Sequence, residues 1–209
     1  MSADDLLGSA AVYESRHEEH VVLVEEHVVL VDEHDRVLGV APKHSVHGAT
    51  TPLHRGFSLF LFDGARRVLA QRRAAAKVTW PLVWSNSCCG HPALGEPVEL
   101  AARRRLRDEL GLDTVAALCV MLPDYRYRAS RDGVEENELC PVLVARLPAG
   151  VDLRPDPEEI AELRWVVWEE FLAELTADPS PWSPWCREEI RLLAAAPAFR
   201  AWLDTDGAR

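Results

Sequence analysis

The stretch NSCCGHPALGEPVELAARRRLRDELGL, residues 86–112, carries the strongest pattern in the chain. Its second half reads as a helix from Glu96 to Leu110. Val98, Ala101, Ala102, Arg105, Leu106 and Glu109 recur at helical spacing, and Gly111 is a natural stop. Its first half is too broken for a helix and brings two thiols and an imidazole to the helix's N-terminal side. A loop rich in reactive groups feeding a helix with charge on one side and apolar residues on the other points to a site on an α/β scaffold.

The flanks read as strands. GFSLFLF at 56–62 and residues 67–72 form a hairpin around Asp-Gly-Ala-Arg. Residues 28–31 pair with 37–40 across a polar turn. The segment EEHVVLV occurs twice, at 18–24 and 25–31, and the copy beside the turn is the structural strand. Downstream, residues 115–121, 138–147 and 163–168 read as strands, and 151–157 as a turn-rich connector. Pro157 and Glu158 are predicted to open a short helix and Trp168–Leu175 another. A last helix runs from Trp185 to Ala195, closed by Pro197. The irregular alternation predicts a mixed α/β or α+β domain at 25–203, preceded by a partly disordered extension at 1–24.

Composition narrows the function. Of 209 residues, 23 are Lys or Arg and 34 are Asp or Glu, a net charge of -11, which disfavours a nucleic-acid binder. Cations nonetheless cluster in RRVLAQRRAAAK at 66–77 and RRRLR at 103–107, as a pocket for a small phosphorylated molecule would require. No apolar run is long enough to span a bilayer, and the acidic start MSADD is unlike a secretory signal. Five cysteines without scaffold spacing fit reduced thiols in the cytoplasm.

Four features carry chemistry: His47-Gly-Ala-Thr-Thr-Pro-Leu-His54, Ser87-Cys-Cys-Gly-His91, the helix at 95–111, and Glu136-Asn-Glu138. Residues i and i+2 of a strand share a face, so Glu136 and Glu138 can reach one ion. Three imidazoles beside them favour Zn, Mn or Fe over Mg.

From Gly90 the spacing to Glu96, Arg104, Leu106, Glu109, Gly111 and Leu112 resembles the Nudix box, with Arg105 and Asp108 replacing two of its glutamates. With NSCCGHP at 86–92, YRYRA at 125–129, ENELCPV at 136–142 and SPW at 183–185, the chain closely resembles the type I isopentenyl-diphosphate Δ-isomerases of the Nudix superfamily, from about His27 to Trp202. The resemblance implies a Nudix-like α/β/α sandwich around a mixed β-sheet. It implies a metal cage of His47, His54, His91, Glu136 and Glu138 holding one Mn2+ or Zn2+, and Mg2+ arriving with the substrate diphosphate at Glu109. The diphosphate would meet Lys43, Arg73, Lys77 and Arg105. Cys89, Glu138, Tyr127 and Trp185 would carry the catalysis: Glu138 near Tyr127 as acid, Cys89 as a thiolate base favoured by nearby positive charge, Trp185 against a carbocation. A small isoprenoid diphosphate is the expected partner of a monomer or weak dimer. A Nudix-type diphosphate hydrolase is the alternative, weakened by the lost glutamate and by a thiol it would leave unexplained.

Overall fold

A computed structural model describes residues 26–205 except 114 and 116. The expected extension at 1–24 and the first EEHVVLV copy lie outside the described residues. The second copy forms β1 (His27–Val31), paired antiparallel with β2 (Val37–Pro42) through Val28–Ala41, Val29–Val40 and Leu30–Gly39, as the turn chemistry predicts. A single turn, α1 (Lys43–Val46), and the short β3 (His54–Arg55) lead to β4 (Phe57–Phe62) and β5 (Arg67–Arg73), the predicted hairpin. Two short strands follow, β6 (Trp84–Ser85) and β7 (Cys88–Gly90), then α2 (Val98–Leu110). Gly111 ends α2 in the left-handed region at φ 65°, where a glycine carries no Cβ penalty.

The strand expected at 115–121 is β8 (Cys119–Leu122). The run at 138–147 is two strands, not one: β9 (Arg126–Arg131) pairs with β10 (Val134–Leu139), and β11 (Val142–Arg146) begins only after Cys140-Pro141. Proline has no N–H for a ladder, and the chain changes sheets there. The short helix expected at Pro157 is a turn leading into β12 (Ile160–Val167), whose pairing with β5 outweighs the local helix signal. After α3 (Trp168–Ala177) and α4 (Pro184–Ala195), Pro197 does more than close a helix: it opens α5 (Pro197–Asp204), a position where its missing N–H costs nothing.

The strands make two hydrogen-bonded sets, β2-β1-β3-β10-β9 and β12-β5-β4-β11-β8, with β6 on β5 and β7 on β4. Both are mixed, because β10 runs parallel to β3 and β11 parallel to β4. All six residues of β4 are buried, since helices cover both faces. Phe57, Leu59 and Leu61 pack with Leu106 and Leu110 of α2, while Phe60 and Phe62 pack with Ile190, Leu193 and Phe199 of α4 and α5. The expected α/β/α sandwich is the observed one. No helix among the described residues is long and apolar enough to cross a membrane.

Candidate active site and metal centre

The parallel register of β3 and β10 sets His54 beside Glu138, and the antiparallel register of β10 and β9 sets Glu138 beside Tyr127. His47 follows the last residue of α1, and His91 follows β7. The ligand atoms of His47, His54, His91 and Glu138 all lie within 4.8 Å of one another. Glu138 Oε1 is 3.2 Å from His91 Nε2 and 3.6 Å from His54 Nε2. Glu136 stands outside that set of four, with Oε2 3.0 Å from His47 Nε2. His54 turns its other ring nitrogen to the Pro52 carbonyl at 2.9 Å, an outer contact of the kind that orients metal-binding imidazoles.

Whether this cluster fits a cation can be read from its unmet polar atoms. His47 Nε2, His54 Nε2, His91 Nδ1 and Glu136 Oε2 are buried without a hydrogen bond. Such groups are costly unless something electropositive completes them. The backbone also makes room: a Cβ on Gly56 would lie 2.1 Å from Glu138 Oε2, so this position tolerates glycine alone. Burial alone would raise the Glu138 carboxyl, but His54 and His91 outweigh it and hold the group ionised. His54 is raised because its contacts with Glu138 exceed the effect of burial, whereas burial dominates at His91 and lowers it. The cluster is capable of binding a divalent metal.

Beside it opens a cavity of about 480 Å3, within the usual size for small-molecule sites, lined by every predicted site residue except His54. Ser58 and Cys89 are directly paired across β4 and β7, so Cys89 faces α4 and the cavity. Cys88 turns the other way, into the α2 core. The Cys89 thiol is 3.0 Å from Asn86 Oδ1, which also accepts from Trp185 Nε1 at 3.3 Å and Ser85 Oγ at 2.7 Å. The Tyr127 and Trp185 rings lie 5.3 Å apart, and the Arg73 guanidinium is 5.8 Å from the Trp185 ring. Burial, with Glu189 second, pushes Cys89 up to about 12 despite Arg73. The expected thiolate is thus a thiol in this state, although the positive neighbour is present.

The basic wall is more heavily compensated than the sequence suggests. Arg105 Nη2 is 2.6 Å from Glu109 Oε1 and 3.0 Å from Glu159 Oε1. Lys77 pairs with Glu159, and Lys43 with Glu26. Arg73 instead donates to the Thr79 carbonyl at 2.9 Å and hydroxyl at 3.0 Å. Although burial would raise Glu159, Lys77 and Arg105 hold it near 2. Burial chiefly raises Glu109 against the pull of Arg105. Sequence reading missed Glu159, since it lies in the turn misread as a helix, and missed Glu96, which binds Arg104 at 2.9 Å while Arg104 holds the His91 carbonyl at 3.1 Å. The Glu96–Arg104 spacing was visible in the box and is a pin between the His91 loop and α2.

The NUDIX domain profile matches residues 52–186. A protein of Frankia alni described as isopentenyl-diphosphate Δ-isomerase is 49% identical over 162 residues, covering 77% of this chain and 82% of its own. Its Mycolicibacterium vanbaalenii counterpart is 50% identical, covering 77% and 87%. That of Cutibacterium acnes is 44% identical over 195 residues, covering 91% and 94%. Among solved structures, a Deinococcus radiodurans protein superposes with a TM-score of 0.62 at 22% identity over 80% of this chain and 98% of its own. A NUDIX hydrolase from Alicyclobacillus acidocaldarius superposes with a TM-score of 0.54 at 14% identity, covering 76% and 100%. The structural likenesses speak to fold alone.

Proposed function

The chain belongs to the Nudix family and, within it, to the isopentenyl-diphosphate Δ-isomerases, and from that premise we propose how its own side chains move the double bond. The enzyme interconverts isopentenyl diphosphate and dimethylallyl diphosphate. A proton is added at C4, a tertiary carbocation-like intermediate forms, and a proton leaves C2. Such a reaction needs an acid, a base and a pocket that excludes nucleophilic water.

Glu138, cross-strand neighbour of Tyr127, delivers the C4 proton, and Cys89 takes the C2 proton. In the reverse direction the roles exchange. Trp185 offers its π face to the cation, with its N–H held by Asn86. Lys43, Arg73, Lys77 and Arg105 orient the diphosphate, and Arg105 exchanges carboxylate partners for phosphoryl oxygens as substrate enters. The donor set of His47, His54, His91, Glu136 and Glu138 suits one Mn2+ or Zn2+. When bound, that ion supplies positive charge that fixes Glu138 and favours an anionic neighbour. Mg2+ accompanies the diphosphate and meets Glu109. The substrate is a small soluble molecule, and we assign the enzyme to the cytoplasm as a monomer or weak dimer, with residues 25–203 the isomerase domain and 1–24 an accessory extension.

One observation carries this reading: Cys89, Tyr127, Glu138 and Trp185 line one cavity with the four cations. A hydrolase would need the carboxylate cluster that Arg105 interrupts. Proton NMR of isopentenyl diphosphate incubated with protein and Mg2+ in D2O tests it. The expected result is conversion to the allylic isomer with deuterium uptake and no phosphate release. Release of inorganic phosphate without isomer exchange refutes it.

A further inference from the structure

Behind Cys89 lies a second layer, and one acid in it has no part in the reaction above. Glu189 is 0% exposed. It stands one turn beyond Trp185 on α4, so both side chains leave the same helix face. Facing them, Ser58 shares its side of the sheet with Cys89, and Ser58 Oγ is 3.9 Å from Cys89 Sγ and 3.6 Å from Cys140 Sγ. The Ser58 hydroxyl is close enough to act on the Glu189 carboxyl as a hydrogen-bond partner. Neither carboxyl oxygen holds a hydrogen bond of full geometry, and neither touches solvent.

We propose that Glu189 is a positioning residue of the isomerase: as a neutral carboxylic acid it donates to the Ser58 hydroxyl, which in turn directs its own proton at the Cys89 sulfur. The inference rests on the isomerase reading. Its logic is the donor inventory around the sulfur. The Asn86 amide is fixed by donation from Nδ2 to the Cys88 carbonyl at 2.7 Å, so its oxygen faces Cys89 and supports only the thiol. An anionic sulfur in a dry pocket needs a donor, and the Ser58 O–H is one in reach. A hydroxyl has a single proton, so Ser58 can serve the sulfur only if the group behind it donates.

Burial keeps Glu189 protonated to about pH 8; Ser58 opposes this, while Glu138 and Glu188 reinforce it. Cys89 on β7, Cys140 past the end of β10, Tyr125 before β9 and Cys186 on α4 also sense its charge. None of these groups is cationic, so nothing among them favours the carboxylate. Once ionised, Glu189 can only accept. Ser58 must then donate to it, and the sulfur loses its donor.

The experiment measures kcat and KM for isopentenyl diphosphate from pH 6 to 10 on full-length wild type, Glu189→Leu, Glu189→Gln and Ser58→Ala. Glu189→Leu is expected to lower kcat at neutral pH at least about tenfold with KM within about threefold, the scale of one lost charge-assisted hydrogen bond. Glu189→Gln still donates through its amide, so kcat should stay within about threefold and the wild-type decline near pH 8 should disappear. Ser58→Ala should match the Leu variant, and it decides the matter if Glu189→Leu does not fold. Wild-type kcat in Glu189→Leu, or failing that in Ser58→Ala, overturns the proposal. So does a Gln variant as impaired as the Leu one, because the carboxylate itself would then be required. Wild-type protein that interconverts no isomers refutes the function instead, and the same assay separates the two failures.

Discussion

Cys88 and Cys89 are adjacent, yet their roles divide by which side of β7 each faces. Cys88 packs with Leu59 and Leu106 in the α2 core, while Cys89 opens on the cavity. Cys89→Ala should cut turnover by about three orders of magnitude, as expected for loss of a proton-transfer group. Cys88→Ala should keep turnover within about fivefold and lower the melting temperature by a few degrees through the small void it leaves. Comparable kcat losses in the two variants would refute the division. Strand alternation made this legible in the sequence. The Asn86 oxygen that gathers three donors was not, because an asparagine in a loop motif gives no hint of which atoms will converge on it. Glu189 adds a stability signature. With a folded-state pKa near 8 and an ordinary value of 4.5, the folded protein retains a proton that the unfolded chain has released between those values. Its contribution is intact below about pH 4.5 and is lost as pH rises through 8. Thermal melts should therefore show Glu189→Gln gaining on wild type from pH 5 to 8, by as much as about 3 kcal/mol at neutral pH; a constant difference would contradict the assignment.

Among the elements, α2 was readable because its apolar positions, its box glycine and its Glu–Arg pin all obey one period. β10 and β11 were merged in the sequence reading, since nothing local announces that Cys140-Pro141 passes the chain from one sheet to another. That passage matters, because it leaves β10 free to lie parallel to β3 and bring Glu138 to His54. The contact is so close at Gly56 that a single methyl tests it. Gly56→Ala should fold but displace the Glu138 carboxylate, lowering both bound metal and turnover at least about tenfold. Normal metal content in that variant would show that Glu138 is no ligand. Likewise His54→Ala should lose the tightly held ion on elemental analysis, whereas Glu109→Gln should keep it and lose activity through the Mg2+ route. Full metal retention in His54→Ala would mean that the cage is drawn wrongly.

For the molecule as a whole, the sandwich architecture was legible from alternation and from the box, and the site from motifs that fold into one cavity. What escaped was compensation over distance: Glu26 and Glu159 neutralise the cations of the cavity from far along the chain, and no spacing rule encodes such pairs. Removing residues 1–24 leaves Glu26 with its bridges to Lys43 and Arg105. The truncated protein should melt cooperatively and keep most of its turnover. Loss of cooperative melting would place the upstream EEHVVLV in the core.

The ligand atoms of His47, His54, His91 and Glu138 come from a helix end, two strands and a loop, so they converge only after both sheets have formed. An unfolded chain offers no such cage, and the ion binds the native state alone. By mass action, free metal at about 100 times its Kd adds roughly 2.7 kcal/mol to native stability. Metal supply would then govern how many copies escape proteolysis, and a starved cell would lose the enzyme itself before it lost the rate of each remaining copy.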